Sequence, residues 1–307
     1  MKSTLAPIVF FAYNRPDHTR QVLESLSRNK LASESSLFIY IDGPKPDATA
    51  ETRAAIEAVK KVAAEKQWCK EVHITAAEAN KGLIKSNVEG VTKMVNQFGK
   101  VIAMEDDGIL SPGFLQYMND ALNFYEDNPQ VMHVAAFSRP DLKAYDIDEP
   151  TYFFYHTTTW GWATWKRAWD KFKLDPMAVR EAAKKKGNIK RLNMDNTFEF
   201  YWGLKAVAQG KLRSWNAIWH STVFLNDGLC LYPKKSLVSN IGHDGSGTNC
   251  EPDDRFKIDD NALAAEIPVT KIPLQNNEVI RKRYIALHSF KYRFVFIAKH
   301  YLRYIFK

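Results

Sequence analysis

The chain's 307 residues, 45% apolar and 25% charged, suit one large α/β domain or two small ones, and this composition excludes wholesale disorder. The formal charge is +8, and of the 43 basic residues eight lie in 281–307, a stretch without Asp or Glu, which leaves 35 basic against 35 acidic residues elsewhere. A neutral body argues against a nucleic-acid partner, which asks for a basic stripe on the folded surface. Cys69, Cys230 and Cys250 are far apart with no CxxC pair, which excludes the usual zinc and disulfide frameworks and fits a reducing cytosol. No stretch reaches the roughly 18 apolar residues that span a bilayer.

Along the chain, the apolar run Ile8–Tyr13 is too short for a signal peptide and reads as a buried first strand, ended by Asn14-Arg-Pro16. Thr19–Ser27 has helical spacing. Leu37–Ile41 is a second strand stopped by Asp42-Gly-Pro44, and Thr52–Lys66 a second helix. A third strand is expected at Glu71–Thr75 and a helix from Asn80-Lys-Gly82 to about Phe98. Lys100–Met104 is a fourth strand, broken at Glu105-Asp-Asp107. This alternation predicts an α/β fold with a Rossmann-like, mostly parallel sheet and helices on both faces. Ligands of such sheets bind at the carboxyl ends of the strands, where Asn14, Asp42 and the acidic triplet fall. Residues 151–225 read as aromatic, strand-like pieces interrupted by a basic helix around Val179–Arg191. Residues 240–254 read as a polar, Gly-rich lid.

Three adjacent carboxylates at a strand end repel one another, and a divalent cation on a diphosphate would compensate them. Asp42 is placed to accept from a ribose hydroxyl or a base N–H, although Asp-Gly-Pro is also a good turn by itself. The backbone at Asn80-Lys81-Gly82, with Lys85, suits an anion at a helix start, or is a plain capped helix. In Thr157–Trp165, Trp160 and Trp162 offer faces to a sugar and Gly161 close backbone approach, with aromatic core as the alternative. Asp195 and Glu199 stand among aromatics, where an apolar wall raises a carboxyl pKa toward that of a general base; the alternative is a charged helix start. His243 could reach a metal or a phosphate.

Together these pieces resemble the GT-A glycosyltransferases. The opening, with Ala12-Tyr13-Asn14-Arg15-Pro16, Asp42-Gly43 and Asn80-Lys81-Gly82, is similar to family 2. The triplet followed by Ile-Leu-Ser-Pro-Gly-Phe114, and Trp160-Gly161-Trp162, look closer to the N-acetylglucosaminyltransferase I type. The resemblance implies a Mn²⁺ or Mg²⁺ ion on Asp107, Glu105 and Asp106 near the ribose and base, and Asp42 on the nucleotide. It implies an inverting displacement whose base is an acid in an aromatic-flanked segment, here Glu199, with Asp195 in reserve. The donor is then a nucleotide-diphosphate sugar and the acceptor a saccharide or lipid-linked saccharide. A nucleotidyltransferase has a similar sheet but needs a Gly-rich phosphate loop after the first strand, which Asn14–His18 lacks. A non-catalytic sugar-binding protein would leave the triplet unexplained.

The domain reading is a catalytic unit over 1–275, with a nucleotide half (1–115) and an acceptor half (116–275), followed by a basic amphipathic tail over 276–307. Basic residues alternate there with Ile280, Tyr284, Ile285, Phe290, Phe294 and Ile297. Such a helix suits an anionic membrane surface, or packs on the domain with its charges in water. The first option places the protein at the cytoplasmic face of the inner membrane, in polysaccharide or glycolipid synthesis.

Overall fold

The computed structural model describes residues 5–246, 257–259 and 262–288. The second part of the expected lid, Cys250 and tail residues 289–307 lie outside the described residues.

The first half follows the expected order. Strand β1 (Ile8–Ala12) leads to α1 (Pro16–Ser27), β2 (Ser36–Ile41), α2 (Ala50–Ala64), β3 (Glu71–Ala76), α3 (Leu83–Phe98), β4 (Lys100–Glu105) and β5 (Gly108–Leu110). Then come α4 (Phe114–Phe124), β6 (Val131–Ala135), β7 (Thr151–Phe154) and β8 (Trp162–Trp165). The strand-like reading fails beyond that point, where the chain is helical: α5 (Lys166–Trp169), α6 (Pro176–Lys186), α7 (Ile189–Leu192), α8 (Phe200–Ala208) and α9 (Trp215–Leu225). The aromatic residues there sit at helical spacing, and their bulk, rather than β-propensity, is what the core uses. Strands β9 (Leu229–Pro233) and β10 (Val238–Asn240) and helix α10 (Glu278–Leu287) complete the order.

Among the described residues, eight strands form one sheet in the order β3-β2-β1-β4-β8-β6-β9-β7, and β10 pairs with β5 beside it. Strands β3, β2, β1 and β4 are parallel; β8 runs against β4 and against β6, and β9 follows β6. Only β8 and β7 are reversed, so the sheet is mostly parallel and spans both halves of the chain. Side-chain alternation divides β1 cleanly. Ile8 and Phe10 enter one core with α1, α2 and α4, through Leu23, Val59 and Met118. Val9 and Phe11 enter the other with α3 and α9, through Met94 and Trp219. Helices thus cover both faces, and burial on both sides is why β1 and β4 read as unbroken apolar runs.

The residues expected to begin a separate tail belong to this body. Asn277 N–H donates to Phe153 O at 2.8 Å, and its side chain caps α10. Ile280 and Tyr284 are buried in the second core, and Arg281 and Arg283 bond back to Asp195 and to Lys143 O. Among the described residues, no helix is long and apolar enough to cross a membrane.

Candidate functional site

Strand register gathers most of the expected residues at one edge. Ala12 stands beside Ile41, Ile41 beside Ala76, and Phe11 beside Glu105, so the chain leaves β1, β2, β3 and β4 at neighbouring carboxyl ends. Tyr13, half-buried there, has its phenol pKa raised, first by burial, with Asp42 adding to it and a backbone hydrogen bond at Lys45 opposing. Asn14 is half-buried in the same turn.

Asp42 does something other than wait for a ligand. Its Oδ1 accepts from Gly43 N at 2.9 Å and Lys81 N at 2.7 Å; Oδ2 accepts from Gly82 N at 2.9 Å and Asn80 Nδ2 at 3.0 Å. A carboxylate offers about four lone-pair directions, and all are taken. Asp42 therefore shapes the 80–82 turn, and the expected bond from it to a ribose has no acceptor to spare. Gly43 lies so close to this turn that a Cβ would sit 2.5 Å from the Ala79 carbonyl carbon. Lys81 and Lys85 are both drawn to Glu89, at 2.9 and 3.8 Å, not held ready for a phosphate.

The triplet is the electrostatic centre. Asp106 and Asp107 are 5% and 8% exposed, and Asp106 Oδ2 and Asp107 Oδ1 are buried without a hydrogen-bond partner. Arg15, at the position preceding α1, donates to Asp106 Oδ1. Burial works against the Arg15 charge, but Asp106, then Asp107 and Glu105, hold its pKa above the ordinary value. Burial pushes the Glu105 carboxyl up to about 8, with Asp107 and Asp106 adding and Arg15 opposing. The Asp107 carboxyl is raised by burial first and then by Asp106. One guanidinium faces Asp106, Asp107 and a Glu105 that is held largely protonated, which still leaves net negative charge, and the buried, unbonded oxygens are hard donors. These residues fit a Mg²⁺ or Mn²⁺ ion in their chemistry. No group of three or more His, Cys, Asp or Glu side chains is already gathered as a metal cage among the described residues.

The 240–246 segment is pinned over the triplet. Asn240 pairs with Gly108, and Ile241 N donates to Asp107 O at 2.8 Å. A Cβ on Gly242 would lie 2.6 Å from Asp107 Cβ and 3.2 Å from Arg15 Nη1, so only glycine fits. His18 contacts Ile241 O at 3.3 Å and Asp244 Oδ2 at 3.2 Å. His243 meets the Trp160 ring edge-on at 5.6 Å. His18, Gly242 and Asp244 went unmarked as site residues in the sequence. The signal for His18 was its place three residues after Arg15, on the same side of the first turn of α1.

Three expected roles are corrected. Trp162 is 1% exposed and packs against His133, Trp169, Trp215 and Trp219, so it is core and offers no face to a sugar. Gly161 has φ +66° and a Cβ there would meet Phe114 at 2.9 Å; it serves chain packing rather than ligand approach. Trp160, next to His243, stays at the site. The two base candidates are elsewhere. Asp195 accepts from Tyr155 Oη at 2.7 Å and Arg281 Nη1 at 3.0 Å, and lines a cleft with Gln130 and Leu229. Gln130 and Leu229 lead into β6 and β9, so this cleft is at the amino edge of those strands, opposite the triplet's edge. Glu199 is exposed at the start of α8, without the apolar wall that motivated it.

No family model and no curated protein matches the chain. Solved structures similar to it include the mannosyltransferase PcManGT from Pyrobaculum calidifontis in complex with GDP-Man and Mn²⁺, with 11% identity, TM-score 0.41, and coverage of 73% of this chain and 70% of that one. Mouse xyloside xylosyltransferase 1 has 11% identity and TM-score 0.37, covering 67% and 83%. S. aureus TarS 1-349 has 12% identity and TM-score 0.40, covering 78% and 61%.

Proposed function

We propose that the protein is a metal-dependent GT-A glycosyltransferase, moving a sugar from a nucleotide-diphosphate donor to a hydroxyl of a saccharide or lipid-linked saccharide. The observation that carries this reading is the buried pair of unbonded oxygens, Asp106 Oδ2 and Asp107 Oδ1, at the carboxyl edge of a mostly parallel sheet. Two buried acceptors without donors are costly, and a cation removes that cost. Asp107 would hold Mn²⁺ or Mg²⁺ with Asp106, while Arg15 fixes Asp106 in place. When bound, the ion stabilises negative charge on a leaving diphosphate. The turns after β1 and β2 would receive the nucleotide, and Trp160 with His243 would border the sugar.

Asp244 stands at this edge, whereas Asp195 lines the opposite one and Glu199 is exposed at the start of α8. The Asp244 carboxyl pKa is lowered, first by the Ser246 hydroxyl, so it is ionised but a weak base; its place at this edge beside His18, and not an apolar wall, supports the role. In the inverting displacement we assign to this site, an acceptor hydroxyl gives its proton to the Asp244 carboxylate. The acceptor oxygen then bonds to the anomeric carbon as that carbon's bond to the diphosphate oxygen breaks. The test is release of nucleoside diphosphate from a panel of sugar nucleotides in Mn²⁺, with and without saccharide acceptors. Asp107→Asn should abolish it; full activity in excess chelator, or in Asp107→Asn, would overturn the reading. A cytoplasmic place at the inner membrane face, in polysaccharide or glycolipid synthesis, is the corresponding proposal for the whole protein.

A further inference from the structure

The neutral body is a balance of two unlike parts. Between Lys171 and Arg213 stand eleven basic residues and four acidic ones; outside this stretch and the 281–307 tail there are 24 basic and 31 acidic. Positive charge is concentrated on the layer made by α6, α7 and α8. That layer turns Val179 and Leu204 inward against Ile218 of α9 and presents a second kind of surface outward.

Leu174, Met177, Trp202 and Leu212 are 52%, 41%, 55% and 41% exposed. They lie on or just beside α6 and α8, which pack on each other. Arg180 lies over the rings of Tyr201 and Trp202 at 4.2 and 5.2 Å, which holds Trp202 outward on one covered face. Met177 precedes Arg180 by one turn of the same helix face, with Leu174 just ahead of it. Leu212 reaches within 3.7 Å of where a Gly203 Cβ would be, beside Trp202. Lys173, Lys184, Lys185, Lys205, Lys211 and Arg213 are exposed around these side chains. Lys184, Lys185 and Lys211 have no ion pair among the described residues.

We propose that this outer face of α6 and α8 docks on an anionic lipid bilayer, independently of the C-terminal tail. Exposed Trp, Leu and Met tips gain by entering the headgroup–acyl boundary, and unpaired lysines gain from anionic headgroups. A nucleic acid fits less well. Three of the four apolar tips are aliphatic and do not stack, and one face of Trp202 is already covered by a guanidinium.

The test is flotation of the full chain with vesicles of phosphatidylcholine alone and of phosphatidylcholine with phosphatidylglycerol. Binding is expected only to the second. Lys184→Glu/Lys185→Glu/Lys211→Glu should lower partitioning on the order of a hundredfold or more. Leu174→Ser/Trp202→Ala, which leaves the charge unchanged, should lower it by about tenfold. A control with the same charge change elsewhere, Lys61→Glu/Lys70→Glu/Lys93→Glu, should keep most of the binding. Equal loss in the control, wild-type affinity in both test variants, or no flotation of the full chain would overturn the proposal. So would a single-stranded oligonucleotide that binds this face and competes with vesicles at lower concentration. Circular dichroism of each variant shows that lost binding is not lost folding.

Discussion

Lowering the pH sets two buried groups of opposite sense against each other. His133 and His220 are buried neutral, and burial holds their pKa down to about 3 and about 4, from an ordinary value of 6.5. His133 Nδ1 accepts from Trp219 Nε1 at 3.1 Å, and the His220 ring stacks on Phe200 at 3.9 Å. Below pH 6.5 the unfolded chain takes up protons that the folded chain refuses, so this stability is whole above 6.5 and lost as the pH falls. From about pH 7.5 to about pH 5 each histidine removes about 2 kcal/mol. His156, also held low by burial, acts in the same direction. Glu105 opposes them, because its folded value near 8 exceeds the ordinary 4.5. Its folded form keeps a proton that the unfolded form loses, so its contribution is whole below 4.5 and lost as the pH rises through 8. Over the same interval it adds about 3 kcal/mol on acidification, which hides most of the histidine loss. Glu105→Gln removes the Glu105 part of that mask and leaves that of Asp107, whose raised carboxyl acts in the same sense. Urea unfolding followed by far-ultraviolet circular dichroism should find Glu105→Gln losing about 3 kcal/mol more than the wild type between the two pH values. Adding His133→Asn to that variant should restore about 2 kcal/mol of the difference. Equal pH dependence in the wild type and Glu105→Gln would refute the assignment of Glu105 as a partly buried, protonated acid.

Asp42→Asn turns an amide NH2 toward two of the four donors, which are the N–H groups of Gly43, Lys81 and Gly82 and Asn80 Nδ2, and should cost about 3 kcal/mol in urea unfolding. Gly242→Ala places a methyl against Asp107, so Mn²⁺ binding followed by electron paramagnetic resonance should weaken by about tenfold or more, with secondary structure intact. Glu199→Gln should keep turnover within about twofold of wild type, whereas Asp244→Asn should cut it on the order of a hundredfold. If the two variants behave in the reverse order, the proton acceptor is on α8 after all.

The first half of the fold was legible because its strands are buried on both sides and its helices carry regular apolar spacing. Seven elements, from Ile8 to Glu105, lie within a few residues of their expected limits. The second half misled through its aromatic content: Trp162, Trp169, Trp215 and Trp219 form one core cluster, built from a strand and two helices, that no local pattern announces. At the candidate site, the position of the triplet could be read from one strand end. That Arg15 is the partner of Asp106, 91 positions away, could not, because it depends on β1 lying beside β4. The structure sets Asp195 apart from the triplet for a related reason. Its aromatic neighbours were visible, but which edge of the sheet it lines is set by the direction of β6 and β9.

The pairing of β10 with β5 bears on the order in which the molecule becomes complete. A ribosome has made β1 to β4 and their helices, with their largely local parallel pairings, when Glu105 emerges. Yet Gly108 has its partner only when Asn240 arrives, and Asp107 its cover only with Ile241 and Gly242. The closure joins residues more than a hundred positions apart, a kind of contact that forms slowly. A nascent chain therefore carries its three acidic side chains uncovered while the more than one hundred residues between Gly108 and Asn240 are made, and the site closes only once Gly242 has followed.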